Sequence, residues 1–360
     1  MPENNNFVTK WLWRLLTIIA IAAWIILLLS AFADRVSPHT STYIPFLGLF
    51  FPLILVVNVV VLVFWIIFLK WKQSLLGFVI LLICWGSIRA YLPFNHSHPT
   101  IPENCIKVLT YNVMSFNFQS QHTKNNPCPI LEYIIEQDPD IVCLQEYITL
   151  WGLSEQTIRK ALKATPYFWY CPKDLAVFSK YPILSVQKIP LEGPFGSACM
   201  VELDINGHKT TLFNMHLESN GISTDERIEY YDLTKDPDKS RMETFTYKMY
   251  QRLNPAFQFR AQQAEAIAQL IRDTPNESII VCGDFNDTPI SYTRRTIKGD
   301  LKDAFVESGS GMGISFNRHR FYFRIDYILH SKNMKAYNCT VGKLKTSDHY
   351  PVWTYLEFCE

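Results

Sequence analysis

The chain has 360 residues, 34 basic against 33 acidic, and 48% of it is hydrophobic. That composition excludes a disordered chain or a disulfide-dense miniature scaffold and provides for a large buried core. Charge is spread unevenly: the first 92 residues hold six basic and two acidic side chains, leaving 28 and 31 beyond them, a net of −3 that argues against non-specific duplex binding.

Three uncharged runs open the chain: Leu15 to Ala33, Tyr43 to Leu69 and Gln73 to Ile88. A span needs about 20 apolar residues, and the third run reaches that only by continuing past a snorkelling Arg89 to Leu92. The expectation is a membrane anchor over residues 1–92 with three transmembrane helices, at about 12–33, 44–69 and 73–92. Lys10 and Arg14 precede the first run, and Lys70 and Lys72 separate the second from the third. Asp34 and Arg35 nearly cancel. The positive-inside rule then puts the N-terminus and the Lys70–Lys72 turn in the cytoplasm. Three crossings place the rest of the chain on the extracytoplasmic side of the cytoplasmic membrane. Ala31-Phe32-Ala33 also fits a signal-peptidase site, and cleavage there would leave the sidedness unchanged.

Residues 93–103 read as a linker, with His96 and His98 as solvated residues rather than metal ligands. Residues 104–360 then alternate short apolar runs with helical patterns. Pro129 to Gln137 predicts a helix, Leu153 to Ala164 another with Ser154 as N-cap, and Arg260 to Arg272 the clearest. The pattern predicts an α/β domain with strands buried on both faces. Cys143 and Cys282 lie inside apolar strands and read as core residues, while the pairing of the other domain cysteines is open. Residues 217–259 lack a clear strand and follow His216 directly; a substrate lid and a solvated helical excursion both fit.

Several apolar runs end on a polar side chain. Ile106 to Asn112 ends on an amide, Asp140 to Glu146 on a carboxylate and Thr210 to His216 on an imidazole. Ile279 to Cys282 leads into Gly283-Asp284-Phe285-Asn286, Asp326 lies within Phe323 to Ile328, and Ser347-Asp348-His349 precedes the last strand. Strand ends are where a rigid sheet holds a site. An Asp-His dyad polarises a phosphoryl oxygen, and Asp-x-Asn activates a water, the needs of phosphate-ester hydrolysis with a divalent metal. Chemistry assigns Glu146 to Mg²⁺ or Mn²⁺ and Asp284 to proton abstraction from the attacking water. Asn112 can hold a phosphoryl oxygen or orient Glu146, Asn286 can donate to the phosphate, and a protonated His349 oriented by Asp326 contacts the phosphoryl oxygen.

These pieces, in this order, resemble the endonuclease/exonuclease/phosphatase superfamily over roughly residues 104–358. The resemblance implies a DNase I-like four-layered α/β sandwich. It also implies Asp348 as a second metal-linked carboxylate and His216 as the group assisting the leaving oxygen. Met114 stands where abasic-site endonucleases carry an Asp, and a thioether is a poor Mg²⁺ ligand, which disfavours that branch. The expected function is a membrane-anchored, metal-dependent phosphoesterase. The alternative is a non-catalytic receptor or scaffold binding phosphorylated ligands. The expected partners are a lipid, nucleic-acid or soluble phosphoester and the bilayer, with no obligate protein partner.

Overall fold

The computed structural model describes residues 3–117, 122–123, 126–149, 153–172, 174–318 and 321–359. Its C-terminal part is a sandwich of two six-stranded sheets. The first sheet holds β1 (Ile106–Asn112), β2 (Ile141–Gln145), β3 (Tyr167–Cys171), β4 (Leu175–Ser179), β13 (Met334–Val341) and β14 (Val352–Phe358), in the order β13-β14-β1-β2-β4-β3. The second holds β5 (Ile183–Ile189), β6 (Ser197–Ile205), β7 (His208–His216), β8 (Ser278–Asp284), β9 (Lys302–Asp303) and β12 (Asp326–His330), in the order β5-β6-β7-β8-β12-β9. A separate hairpin pairs β10 (Phe316–Arg318) with β11 (Phe321–Phe323).

Alternation along the strands explains the layers. Val108, Ile141, Cys143, Val201, Leu212, Ile280, Cys282 and Ile328 pack between the sheets. The opposite parity in the first sheet, Leu109, Val142 and Leu144, packs against Ile130 and Ile134 of the helix Pro129–Gln137 and Ile158 of Glu155–Ala161. In the second sheet Phe213, Val281 and Leu329 pack against Ala264 and Ile267 of Lys239–Asp273 and Ile297 of Tyr292–Lys298. Helix, sheet, sheet and helix make four layers, as the resemblance implies; the sequence pattern by itself predicts the α/β class with strands buried on both faces. Ser154 caps its helix as expected, accepting from the Thr157 amide. All nine cysteines are free thiols, and Cys143 and Cys282 lie in the core.

The expected three spans need correction. Among the described residues one helix, Phe7–Ala31, is long and apolar enough by itself to cross a bilayer. The 44–69 run is broken into Ile44–Leu49 and Phe51–Ile67. Pro52 sits in the first turn of the second piece, where its ring excludes continuation of the first. The 73–92 run divides into Trp71–Ile83 and Trp85–Tyr91, bent by 59°. Gly86-Ser87, a known kinking pair, follows the bend, and Ser87 Oγ donates to the Ala31 carbonyl at 2.6 Å.

These helices pack on one another through Trp24, Leu27, Phe51, Trp65 and Ile80, and the cluster takes in Ile290 of the sandwich. The N-terminal helices are therefore docked on the sandwich. Tyr43 and Phe46 stack on Tyr250, Arg295 pairs with Asp34 at 3.4 Å, and Arg324 donates to the Ala90 carbonyl. The expected linker runs along the sandwich: Gly311 N donates to Pro93 O, and His98 exchanges hydrogen bonds with the Asn338 side chain.

Candidate active site

The site lies where the inter-sheet face turns polar. Val108 and Thr110 lead to Asn112, Ile141 and Cys143 to Gln145, Leu212 and Asn214 to His216, Ile280 and Cys282 to Asp284. Strand register aligns them. Asn112 pairs with Gln145 across the parallel β1–β2 ladder, His216 with Asp284 across the parallel β7–β8 ladder, and Asp326 with Asp284 across β8–β12. Two-residue side-chain periodicity thus extends the apolar rows of the core into one row of catalytic-type groups.

Below this row a buried network joins the sheets. Gln145 Nε2 donates to Asn214 Oδ1 at 2.7 Å, and Asn214 Nδ2 donates to the carbonyls of Leu144 and Ala176. At the end of β8, Gly283 has φ +143°, and a Cβ there would lie 2.0 Å from the Met215 carbonyl oxygen. The strands approach too closely for any other residue.

Asp284 Oδ2 is the focus. Asn112 Nδ2 donates to it at 3.1 Å, His349 Nε2 lies at 3.5 Å and His216 Nε2 at 3.8 Å. The other oxygen of Asp284 accepts from the Asn286 amide at 2.8 Å. Each histidine is backed by its own carboxylate. His349 Nδ1 donates to Asp326 Oδ2 at 2.9 Å, and His216 Nδ1 to Asp174 Oδ1 at 3.0 Å. Ser347 holds the His349 loop against β1, donating to the Asn112 carbonyl and accepting from the His349 amide.

Electrostatics follow from this geometry. Burial alone would lower the His349 pKa, but Asp326, Asp284 and Asp348 outweigh it and raise it to about 10. Burial opposes the His216 cation in the same way; Asp174, Asp284 and Glu146 raise it to about 9. Both rings are cations at neutral pH. Burial pushes the Asp284 carboxyl above its usual range, Asp326 adds to that, and the two histidines pull against it.

The structure brings together Asn112, Glu146, His216, Asp284, Asp326 and His349. Asn286 is adjacent, but its amide donates to the Leu217 carbonyl at 3.0 Å, a loop-holding contact. Asp348 faces the other way across the mouth, with Oδ2 3.9 Å from Arg227. Asp284, Asp326 and His349 offer ligand atoms within 4.8 Å of one another. With His349 protonated on both nitrogens, that trio would pair charges rather than ligate a cation. Glu146 suits a hard cation better. It is half-buried, its Oε1 accepts from the same Asn112 amide that serves Asp284, and its φ of +50° turns the chain there. A carboxylate oxygen at a strand end fits Mg²⁺ or Mn²⁺.

Motif reasoning missed three contributors. Asp174 lies in the β3–β4 turn, where Asp reads as a turn former. The Gln145–Asn214 pair lies one strand step inside the row. Arg227, on the helix Thr224–Lys235, comes 3.9 Å from Asp348; the 217–259 segment is helical, and both the lid and the helical-excursion readings stay open.

The Endonuclease/Exonuclease/phosphatase family matches residues 109–349, and a domain of unknown function (DUF8431) matches residues 13–91. The fold resembles that of the endonuclease/exonuclease/phosphatase from Bacteroides vulgatus: TM-score 0.50, 17% identity, 71% of this chain and 100% of that one covered. It also resembles the human Nocturnin catalytic domain with bound sulfate anion: TM-score 0.50, 19% identity, covering 72% and 95%. No curated protein matches the sequence. At these identities the structures speak for the fold alone, whereas the family match extends over most of the chain. The chain belongs to the endonuclease/exonuclease/phosphatase family.

Proposed function

We propose that this protein is a membrane-anchored, divalent-metal-dependent phosphoesterase. One observation carries the reading: an amide and two imidazolium rings, each backed by a carboxylate, converge on Asp284 Oδ2. That carboxylate takes a proton from the water that attacks phosphorus. His349 and Asn112 hold the phosphoryl oxygens. His216, already a cation, gives its proton to the leaving oxygen as the old P–O bond breaks. Asp326 and Asp174 keep the two rings charged and oriented. Bound at Glu146, with Asp348 at the rim, Mg²⁺ or Mn²⁺ would supply Lewis-acid stabilisation of the developing charge.

The anchor reading rests on exposed apolar side chains. Ile18, Ile25 and Leu29 on the first helix face outward, as do Leu53, Val56, Val60 and Ile67 on Phe51–Ile67 and Leu75, Phe78 and Leu82 on Trp71–Ile83. An outer belt so apolar on all three helices suits lipid and not water. Phe51–Ile67 is about 25 Å long and spans with modest local thinning of the bilayer. Lys70 Nζ lies 4.3 Å from the Trp13 ring, so Lys10, Arg14, Lys70 and Lys72 gather at one end of the bundle. The sandwich packs at the other end. A positive end in the cytoplasm puts the catalytic domain outside.

The deciding experiment uses the full chain in detergent micelles with bis(p-nitrophenyl) phosphate. Hydrolysis should require Mg²⁺ or Mn²⁺, stop with EDTA and be lost in Asp284→Asn. A wild-type protein that binds phosphate but turns over no ester would favour the receptor alternative. Full activity in excess EDTA would remove the metal assignment.

A further inference from the structure

The helix Thr224–Lys235 crosses the mouth of the cleft on slender supports. Leu233 is its buried residue. Its ties include a capping box at Ser223 and Glu226, ion pairs of Glu226 with Arg252 and Glu229 with Lys248, and Tyr230 against Phe245 and Phe321. From its first turn Arg227 points inward, its side chain 21% exposed. The guanidinium lies 5.0 Å above the Phe316 ring, and Phe316 packs edge-on against His349 at 5.1 Å. Its distance to Asp348 Oδ2, 3.9 Å, is too long for a hydrogen bond. Arg318 on the hairpin is near enough for its like charge to act on Arg227. A guanidinium over an aromatic ring, without a hydrogen bond among the described residues, is a seat for an anion.

We propose that Arg227 is a substrate-binding residue, its guanidinium taking a non-bridging phosphate oxygen as the lid helix settles over the cleft. His349 and Asn112 approach the phosphoryl group from the floor, and Arg227 approaches it from the roof. A planar fork over the mouth favours a phosphate with two free oxygens on that side. Asp348 holds the fork near this position between turnovers, and the substrate anion takes over from it.

The inference rests on the phosphoester reading of this cleft, and its test does not need turnover. Binding of inorganic phosphate to the full chain with Mg²⁺ is measured by calorimetry. Arg227→Met should weaken it roughly 10- to 100-fold, as for loss of a charge-assisted hydrogen bond, with unchanged melting temperature. Arg241→Met removes an exposed arginine of the neighbouring helix and should leave affinity unchanged. Wild-type affinity in Arg227→Met, or equal weakening in both variants, would overturn the proposal. In the unaltered protein, phosphate should also protect Arg227 from phenylglyoxal; modification at the same rate with and without phosphate would overturn it too. An inactive wild type that still binds phosphate through Arg227 removes the hydrolase reading and keeps this one.

Discussion

Asp284 and Asp326 stand directly opposite each other in the β8–β12 ladder, and both carboxylates are buried. Two like charges so placed resist joint ionisation. His349 resolves the conflict, with Nδ1 2.9 Å from Asp326 Oδ2 and Nε2 3.5 Å from Asp284 Oδ2. The sheet brings the carboxylates together, and the last loop brings the imidazole that faces both.

Replacing His349 by Ala should lower kcat by about 10²–10⁴. It should also destabilise the fold, because the two buried carboxylates lose the cation between them. Initial rates and thermal melts check both effects. An unchanged melting temperature would contradict the charge-balance account.

The pH dependence has a definite sign. His216 and His349 have folded-state values of about 9 and about 10, above the ordinary 6.5. Each contributes stability that is fully present below about pH 6.5 and is lost as pH rises through the folded value. Activity should hold to about pH 9 and then fall as His216 loses its proton. The acid limb belongs to Asp284, which must be ionised to accept a proton and whose pKa is raised by burial. A kcat/KM profile from pH 4 to 10.5 measures both limbs; a basic limb near pH 6.5 would mean the carboxylates do not hold the rings.

Asp174 should be as necessary as its partner. Asp174→Asn removes the charge that sustains the His216 cation, so turnover should drop about tenfold or more and the basic limb should move to lower pH. His349 should be unaffected, so phosphate binding should persist. An unshifted limb would reduce Asp174 to a turn residue.

The catalytic row was legible because the change from apolar to polar at constant parity, as in Ile280, Cys282, Asp284, is written locally. The α/β alternation was legible for the same reason, with helix-period runs such as Arg260–Arg272 set between strand-period ones, whereas the four layers followed from the resemblance. Asp174 was not, because its role depends on a turn between β3 and β4 arriving beside β7 of the other sheet. The Gln145–Asn214 pair was hidden likewise, since only packing brings the two strands together. Hydropathy marked the apolar runs before Lys70 and after it, but not the break at Pro52 or the 59° bend near Gly86, which depend on backbone geometry.

Gly283→Ala tests the close approach beneath the site. The new methyl would meet the Met215 carbonyl at 2.0 Å in a backbone conformation that L-residues avoid. The β7 and β8 strands would separate, costing about 2–3 kcal/mol, and His216 would move away from Asp284. A lowered melting temperature together with reduced kcat is expected; a neutral variant would show that the ladder relaxes freely there.

The last prediction concerns the side of the membrane. Lys70 packed over Trp13 brings both basic segments to one end of the helix bundle, and the contacts of Tyr43 and Phe46 with Tyr250 fix the sandwich at the other. With the positive end in the cytoplasm, the sandwich is expected to face outward. There it would meet lipid head groups and extracellular phosphoesters, and anchoring would raise the local concentration of the lipid ones. Expressed in a bacterium, alkaline phosphatase fused after Glu360 should be active and a cytoplasmic fluorescent reporter dark. The parity of crossings decides the outcome: three put the C-terminus outside, two put it inside. A dark phosphatase with a bright reporter would mean that one of the two broken segments does not cross, and would bring cytoplasmic nucleotides and nucleic acid within reach of the cleft.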